Sequence, residues 1–225
     1  MKSAQNERRL FVENTESTVL RGKKVSLLSL GCKVNAYETE CFKEKFRSAG
    51  ARIIDFEEGN ADIVVINTCS VTNIADRKSR QMLHRARKLS PNAVIVATGC
   101  YVQAAGEKMV EGTDADIAAD NDRKSMIVAL AVRALEQKES SSIGIPGEGL
   151  RYNDNSTSYD SDSVLQPCHE RTRAFIKVQD GCNQFCTYCI IPYVRGRVRS
   201  RSIRDVVEEV KRFAGCGYRE VVLTG

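Results

Sequence analysis

The chain has no tryptophan, and its seven phenylalanines and seven tyrosines make up only 6% of 225 residues. That poverty of aromatics does not mean disorder, because 42% of the residues are apolar, enough to fill a core. No stretch approaches the run of about 18 apolar residues that a membrane-spanning helix needs, so no membrane partner is expected. Met1 to Arg9 lack the apolar centre of a secretory signal, no internal repeat is evident, and the expected location is cytoplasmic. The length allows one large domain or two small ones.

The chain has 34 Lys and Arg against 29 Asp and Glu. Residues 1–167 are balanced, with 23 of each sign, so the whole excess falls in residues 168–225, which hold 11 basic and 6 acidic residues. Within that stretch Arg195, Arg197, Arg199 and Arg201 recur at every second position. In an extended segment all four would share one face and could meet phosphates or a ligand carboxylate. The plainer alternative is a solvated edge that blocks strand pairing. His84 falls among basic residues of a helical stretch and reads as solvated.

Residues 1–23 read as a flexible lead-in. Over residues 24–137, short apolar runs (Val25–Leu30, Arg52–Phe56, Ile63–Ile66, Ala93–Ala97, Asp116–Ala119) alternate with helical stretches. These cover Ala36–Ala49, Ile74–Leu89, Ala104–Glu111 and Arg123–Gln137. The alternation predicts an α/β domain with an open parallel Rossmann- or flavodoxin-like sheet. Residues 138–167, rich in Ser, Gly, Asn and Asp, read as a linker. Residues 168–225 follow with a strand at Ala174–Gln179, a cysteine-rich loop, a basic extended segment, a helix at Ile203–Ala214 and a strand at Glu220–Thr224. One βαβ unit does not close a core, so this stretch reads as the incomplete beginning of a larger domain.

Nine cysteines in a chain expected in a reducing compartment point to metal or thiol chemistry rather than disulfides. Cys182, Cys186 and Cys189 are spaced C-x3-C-x2-C directly after a strand. Structural zinc wants four ligands, whereas three thiolates suit an iron–sulfur cubane with one iron left open. Zinc and unliganded core cysteines remain the alternatives. Cys32, Cys69 and Cys100 lie far apart in sequence, yet each follows a core strand. A parallel sheet would bring them to its carboxyl edge, where open α/β sheets build their binding crevice. Asn35, Asn67, Thr68 and Gly99 beside them are small or turn-forming residues that let a backbone approach a bulky ligand. The alternative is ordinary buried cysteine. Cys41, Cys168 and Cys216 lack such placement and read as ordinary.

The segment Gly181-Cys-Asn-Gln-Phe-Cys-Thr-Tyr-Cys-Ile-Ile-Pro-Tyr-Val-Arg-Gly-Arg resembles the radical S-adenosylmethionine enzymes. Together with Leu30-Gly-Cys-Lys-Val-Asn-Ala-Tyr-Glu, Asn67-Thr-Cys-Ser-Val-Thr and Thr98-Gly-Cys-Tyr, it resembles the methylthiotransferase family of that superfamily. The resemblance implies two 4Fe-4S clusters, one on Cys32, Cys69 and Cys100 serving the inserted sulfur, the other on Cys182, Cys186 and Cys189. The second would bind S-adenosylmethionine and release a 5′-deoxyadenosyl radical. Tyr188 would lie near the adenine; core packing is its alternative. The resemblance further implies that residues 168–225 begin a TIM-type barrel. Its substrate would be the anticodon loop of tRNA, and its electron donor a flavodoxin or ferredoxin. Lys33 to Asn35 with Tyr37-Glu38 look most like the branch acting on N6-threonylcarbamoyladenosine at tRNA position 37. Other branches act on isopentenyladenosine or a ribosomal-protein aspartate, and a non-catalytic metal- or RNA-binding module is the rival class. No catalytic side chain is assigned, and this portion alone is expected to turn over poorly.

Overall fold

A computed structural model of the chain describes residues 18–106, 112–121, 123–139 and 172–225. The expected lead-in up to residue 17, most of the linker, and Cys168 lie outside the described residues.

Five strands form one all-parallel sheet: β1 (Lys24–Ser29), β2 (Arg52–Ile54), β3 (Ile63–Thr68), β4 (Val94–Gly99) and β5 (Ile117–Ala119). Their order across the sheet is β2-β1-β3-β4-β5. β3 and β4, which read Ile-Val-Val-Ile-Asn-Thr and Val-Ile-Val-Ala-Thr-Gly, are buried throughout. Such uninterrupted β-branched runs suit central strands covered on both faces.

Alternate residues serve opposite layers. Val25, Ile63, Val65, Val94 and Val96 pack with Phe42 and Phe46 of α1 (Lys33–Ser48) and with Ile127, Ala131 and Leu135 of α4 (Ile127–Glu139). Val64, Ile66, Ile95 and Ala97 pack on the other face with Met82, Leu83 and Ala86 of α2 (Asn73–Leu89). Thr72 caps α2, its hydroxyl accepting from the Ala75 N–H at 3.1 Å, and Arg87 and Lys88 lie in the last turn where the helix dipole favours cations. A short α3 (Cys100–Ala105) follows β4. The sequence-expected helix at Ala104–Glu111 begins earlier than expected, because Cys100 follows Gly99 straight into a helical turn, and residues 107–111 lie outside the described residues.

In the second region β6 (Arg173–Lys177) pairs in parallel with β9 (Glu220–Thr224) across α6 (Ile203–Gly215). The expected extended segment is only partly extended. Pro192 sits in the first turn of a short α5 (Ile191–Arg195), where its fixed φ favours a helix. After it, β8 (Arg199–Ser200) makes a two-residue antiparallel pair with β7 (Gln179–Asp180).

α1 joins the two regions. Phe42 and Phe46 face the sheet, while Tyr37 and Cys41, on the neighbouring stripe, pack with Ala174, Ile176 and Phe213. No helix of the described residues is long and apolar enough to cross a membrane.

Candidate functional site

The parallel order places Cys32 after β1, Cys69 after β3 and Cys100 after β4, three adjacent strands ending at the same edge. β1 and β3 flank the point where the strand order reverses, the crevice that such sheets use for ligands. Cys69 and Cys100 are buried and Cys32 is exposed at the N-cap of α1, where its side chain makes no capping bond. Burial pushes the Cys69 thiol up; the nearby Cys100 and Cys32 thiols push it further, and the Val71 and Ser70 N–H groups oppose them. Cys32 and Cys100 thus both lie near enough to bear on the Cys69 thiol.

Two glycines make this approach possible. A Cβ on Gly31 (φ +93°) would sit 2.4 Å from the Cys69 sulfur, and one on Gly99 (φ +98°) would sit 2.3 Å from the Thr68 carbonyl oxygen. Asn35 ties the loops together, donating to the Leu30 carbonyl at 2.8 Å and the Thr68 carbonyl at 2.9 Å. Ser79 of α2 fixes Cys69, accepting from its N–H at 3.2 Å and donating to its carbonyl at 3.0 Å. The Asn67 Oδ1 and Thr98 Oγ1 atoms at these strand ends are buried without a partner. Asn35 and Asn67 also lace the crevice, Asn67 Nδ2 donating to the Asn35 carbonyl at 3.2 Å.

A donor set of three soft thiols suits an iron–sulfur cluster. Among the described residues no three His, Cys, Asp or Glu side chains gather as around a single metal ion. A cubane spreads its thiolates over separate irons, so thiols that share a crevice lined by glycine backbone fit the polynuclear group better than one zinc. The loop of Cys182, Cys186 and Cys189 offers a second such set. Cys182 and Cys189 are half-buried and Cys186 is exposed. The loop is closed by the Cys182 N–H donating to the Gly196 carbonyl at 3.1 Å and the Cys189 N–H donating to that of Cys186 at 2.9 Å. Tyr188 is 91% exposed among the described residues. Cys41 is buried on α1, and Cys216 caps α6.

Between the triads lies a buried ionic cluster that the sequence reading missed. The Glu38 carboxylate, on α1, meets Lys124 at 2.6 Å, Lys177 at 2.8 Å and Arg195 at 2.9 Å. Burial alone would raise this carboxyl, but Lys124, Arg195 and Lys177 overcome it and hold it well below the usual range. Arg195 also donates to Asp180 at 2.9 Å and, through its other Nη, to Asn35 Oδ1 at 2.7 Å. Burial works against the Arg195 charge, yet Glu38 and Asp180 raise its pKa further still. Beside this cluster Tyr37 donates to Glu209 at 3.0 Å, and Arg201 pairs with Glu209 at 2.5 Å. The sequence did carry a signal: Glu38 lies on the same helical stripe as Val34 and Cys41, a charge on an otherwise apolar face.

The expected arginine face does not form. Arg195 ends a helix and is buried, and Arg201 is committed to Glu209. His84, read as solvated, is 60% exposed but partnered by Asp114.

Residues 24–119 match the family described as uncharacterized protein family UPF0004, and residues 176–225 match the radical SAM superfamily. The threonylcarbamoyladenosine tRNA methylthiotransferase MtaB of Aquifex aeolicus is 41% identical over 90% of this chain and 47% of its own length. Its Bacillus subtilis namesake is 39% identical over 89% of this chain and 43% of its own length. The tRNA-2-methylthio-N(6)-dimethylallyladenosine synthase of Anaplasma marginale is 32% identical over 90% and 43%. The chain thus spans less than half the length of these curated relatives. It carries a UPF0004 region followed by a radical SAM region, and over about 90% of its residues it is similar to proteins named as tRNA methylthiotransferases.

Proposed function

We propose that this chain is part of an enzyme that places a methylthio group on C2 of N6-threonylcarbamoyladenosine at position 37 of tRNA. The carrying observation is the pair of thiol triads whose flanks meet in one buried network: Asn35 beside Cys32 and Asp180 beside Cys182 both bond Arg195. Cys32, Cys69 and Cys100 would hold one 4Fe-4S cluster, and Cys182, Cys186 and Cys189 a second that takes S-adenosylmethionine. When bound, these groups supply a carbon radical that removes a hydrogen, the sulfur that replaces it and the methyl that caps the sulfur.

The chain's own residues position and enclose. Asn35 holds the turns after β1 and β3 together, and Glu38 with Arg195 fixes that edge against the Cys182 loop. The exposed Tyr188 offers a ring face to the adenine of the cofactor. The substrate is the anticodon loop, the electron donor a flavodoxin or ferredoxin, and the setting the cytoplasm. Relatives named for threonylcarbamoyladenosine include the more similar ones, at 41% and 39%, against 32% for the one named for dimethylallyladenosine.

Two measurements test this. Anaerobically reconstituted full-length protein should hold about eight irons per chain, and about four would remove the cluster on Cys32, Cys69 and Cys100. Nucleosides from cells lacking the gene should lose the methylthio form of threonylcarbamoyladenosine while its precursor accumulates. Loss of methylthiolated dimethylallyladenosine instead would move the substrate. Zinc in the purified protein, with RNA binding that survives removal of Cys182, Cys186 and Cys189, would favour a non-catalytic module.

A further inference from the structure

Only part of the positive charge counted in the second region meets solvent. In the second region Lys177, Arg195 and Arg201 are turned inward to carboxylates. In the first region α2 carries six Lys and Arg over Asn73–Leu89 against one acidic residue, Asp76. Arg85 is paired with Glu57, and Arg87 grips Asp116 at 2.8 Å. Arg77, Lys78, Arg80 and Lys88 remain exposed; Asp76 lies one turn before Arg80 and favours its charge. Arg77, Arg80, His84 and Lys88 follow one another at three- and four-residue steps, so they share a stripe about 16 Å long. Like charges at that spacing destabilise a helix, and an opposing anion would relieve the repulsion.

The stripe borders the sulfur-rich crevice. α2 begins directly after the Cys69 turn, and Arg80 donates to the hydroxyl of Tyr101, next to Cys100, at 3.2 Å while lying 5.7 Å from its ring centre. At the same rim Ile74 is 80% exposed.

We propose that this face of α2 is an RNA phosphate-backbone contact that brings the nucleic acid to the rim of the Cys32, Cys69 and Cys100 crevice. The inference rests on the tRNA reading above. An acidic protein is the other polyanion such a face could meet. An electron donor must reach the Cys182 loop, whereas the target nucleoside must reach the crevice that this stripe borders, so RNA is favoured.

The test uses full-length, cluster-loaded protein and an anticodon stem-loop RNA, with affinity measured across salt concentrations. The variant Arg77→Gln/Lys78→Gln/Lys88→Gln should flatten the log–log salt slope by about 2, at about 0.7 per single-strand phosphate contact, and weaken binding about tenfold or more near physiological salt. Arg204→Gln/Arg212→Gln on α6 should leave the slope unchanged. Bound RNA should also protect Lys78 and Lys88 from acylation. Wild-type protein that fails to bind this RNA defeats the tRNA reading itself. Normal wild-type binding with an unchanged variant slope and unprotected lysines overturns the α2 surface and leaves that reading standing. A variant that keeps its RNA affinity but is reduced more slowly by an acidic donor protein overturns it in favour of a protein partner.

Discussion

Glu38 shows how one side chain holds two regions in register. Its carboxylate is 3% exposed and touches three cations drawn from three parts of the chain, one of them from the first region and two from the second. A buried ion pair gives little net stability relative to apolar packing, but removing one partner strands the others without solvent. Glu38→Gln keeps the shape and deletes the charge, so it should cost about 3–5 kcal/mol in urea unfolding. The glycines act by what they leave out. Gly99→Ala sets a Cβ 2.3 Å from a backbone oxygen at φ +98°, and neither can give way cheaply. It should destabilise by at least about 1–3 kcal/mol. Gly31→Ala, at φ +93°, meets the Cys69 sulfur at 2.4 Å and the Cys69 Cβ at 2.6 Å, so it should destabilise and also cost the iron of this triad: about four irons per chain remain on the other triad, measured after reconstitution.

Among the elements, those built from repeated apolar patterns were legible and those built from charge were not. β3 and β4 declared themselves by unbroken β-branched runs, and α1 and α2 by helical periodicity, so the sheet edge and its three cysteines followed from order alone. The arginine stretch misled because Arg195 to Arg201 keeps a strand-like period of two while Pro192 has already started a helical turn that ends on Arg195. Charge periodicity says which residues share a face of an assumed element; it does not say that the element forms. The buried network was invisible for a further reason: Glu38 and Arg195 are 157 residues apart, and no local pattern encodes their meeting. Position along this stretch therefore predicts consequence. Arg195→Lys loses the planar fork that reaches Asn35 and Glu38 at once, and should cost about 2–4 kcal/mol, whereas the exposed Arg197→Lys should stay within about 0.5 kcal/mol. Thermal unfolding of the two variants side by side separates them.

At the scale of the molecule, the two regions meet through a small apolar patch, Tyr37 and Cys41 against Ala174, Ile176 and Phe213, and through the ionic network beside it. The patch works at any pH, while the network depends on ionised carboxylates. Burial opposes the charge of both Glu38 and Asp180, yet Lys124, Arg195 and Lys177 at the first and Lys177 and Arg195 at the second hold their pKa values below the ordinary 4.5 and 3.8. Groups depressed in the assembled state favour assembly fully above their ordinary values, and that contribution fades as pH falls through the depressed ones. A protease site placed between residues 140 and 167 makes this measurable, because cleavage leaves non-covalent forces alone to hold the halves. At pH 7 the cut halves should elute together on size exclusion, and they should separate progressively as the pH is taken below about 4. Cut Glu38→Gln should come apart already at neutral pH, since three buried cations then lack their shared anion. Halves that separate at pH 7 without the substitution would show that the chain connection, rather than this network, keeps the two thiol triads together.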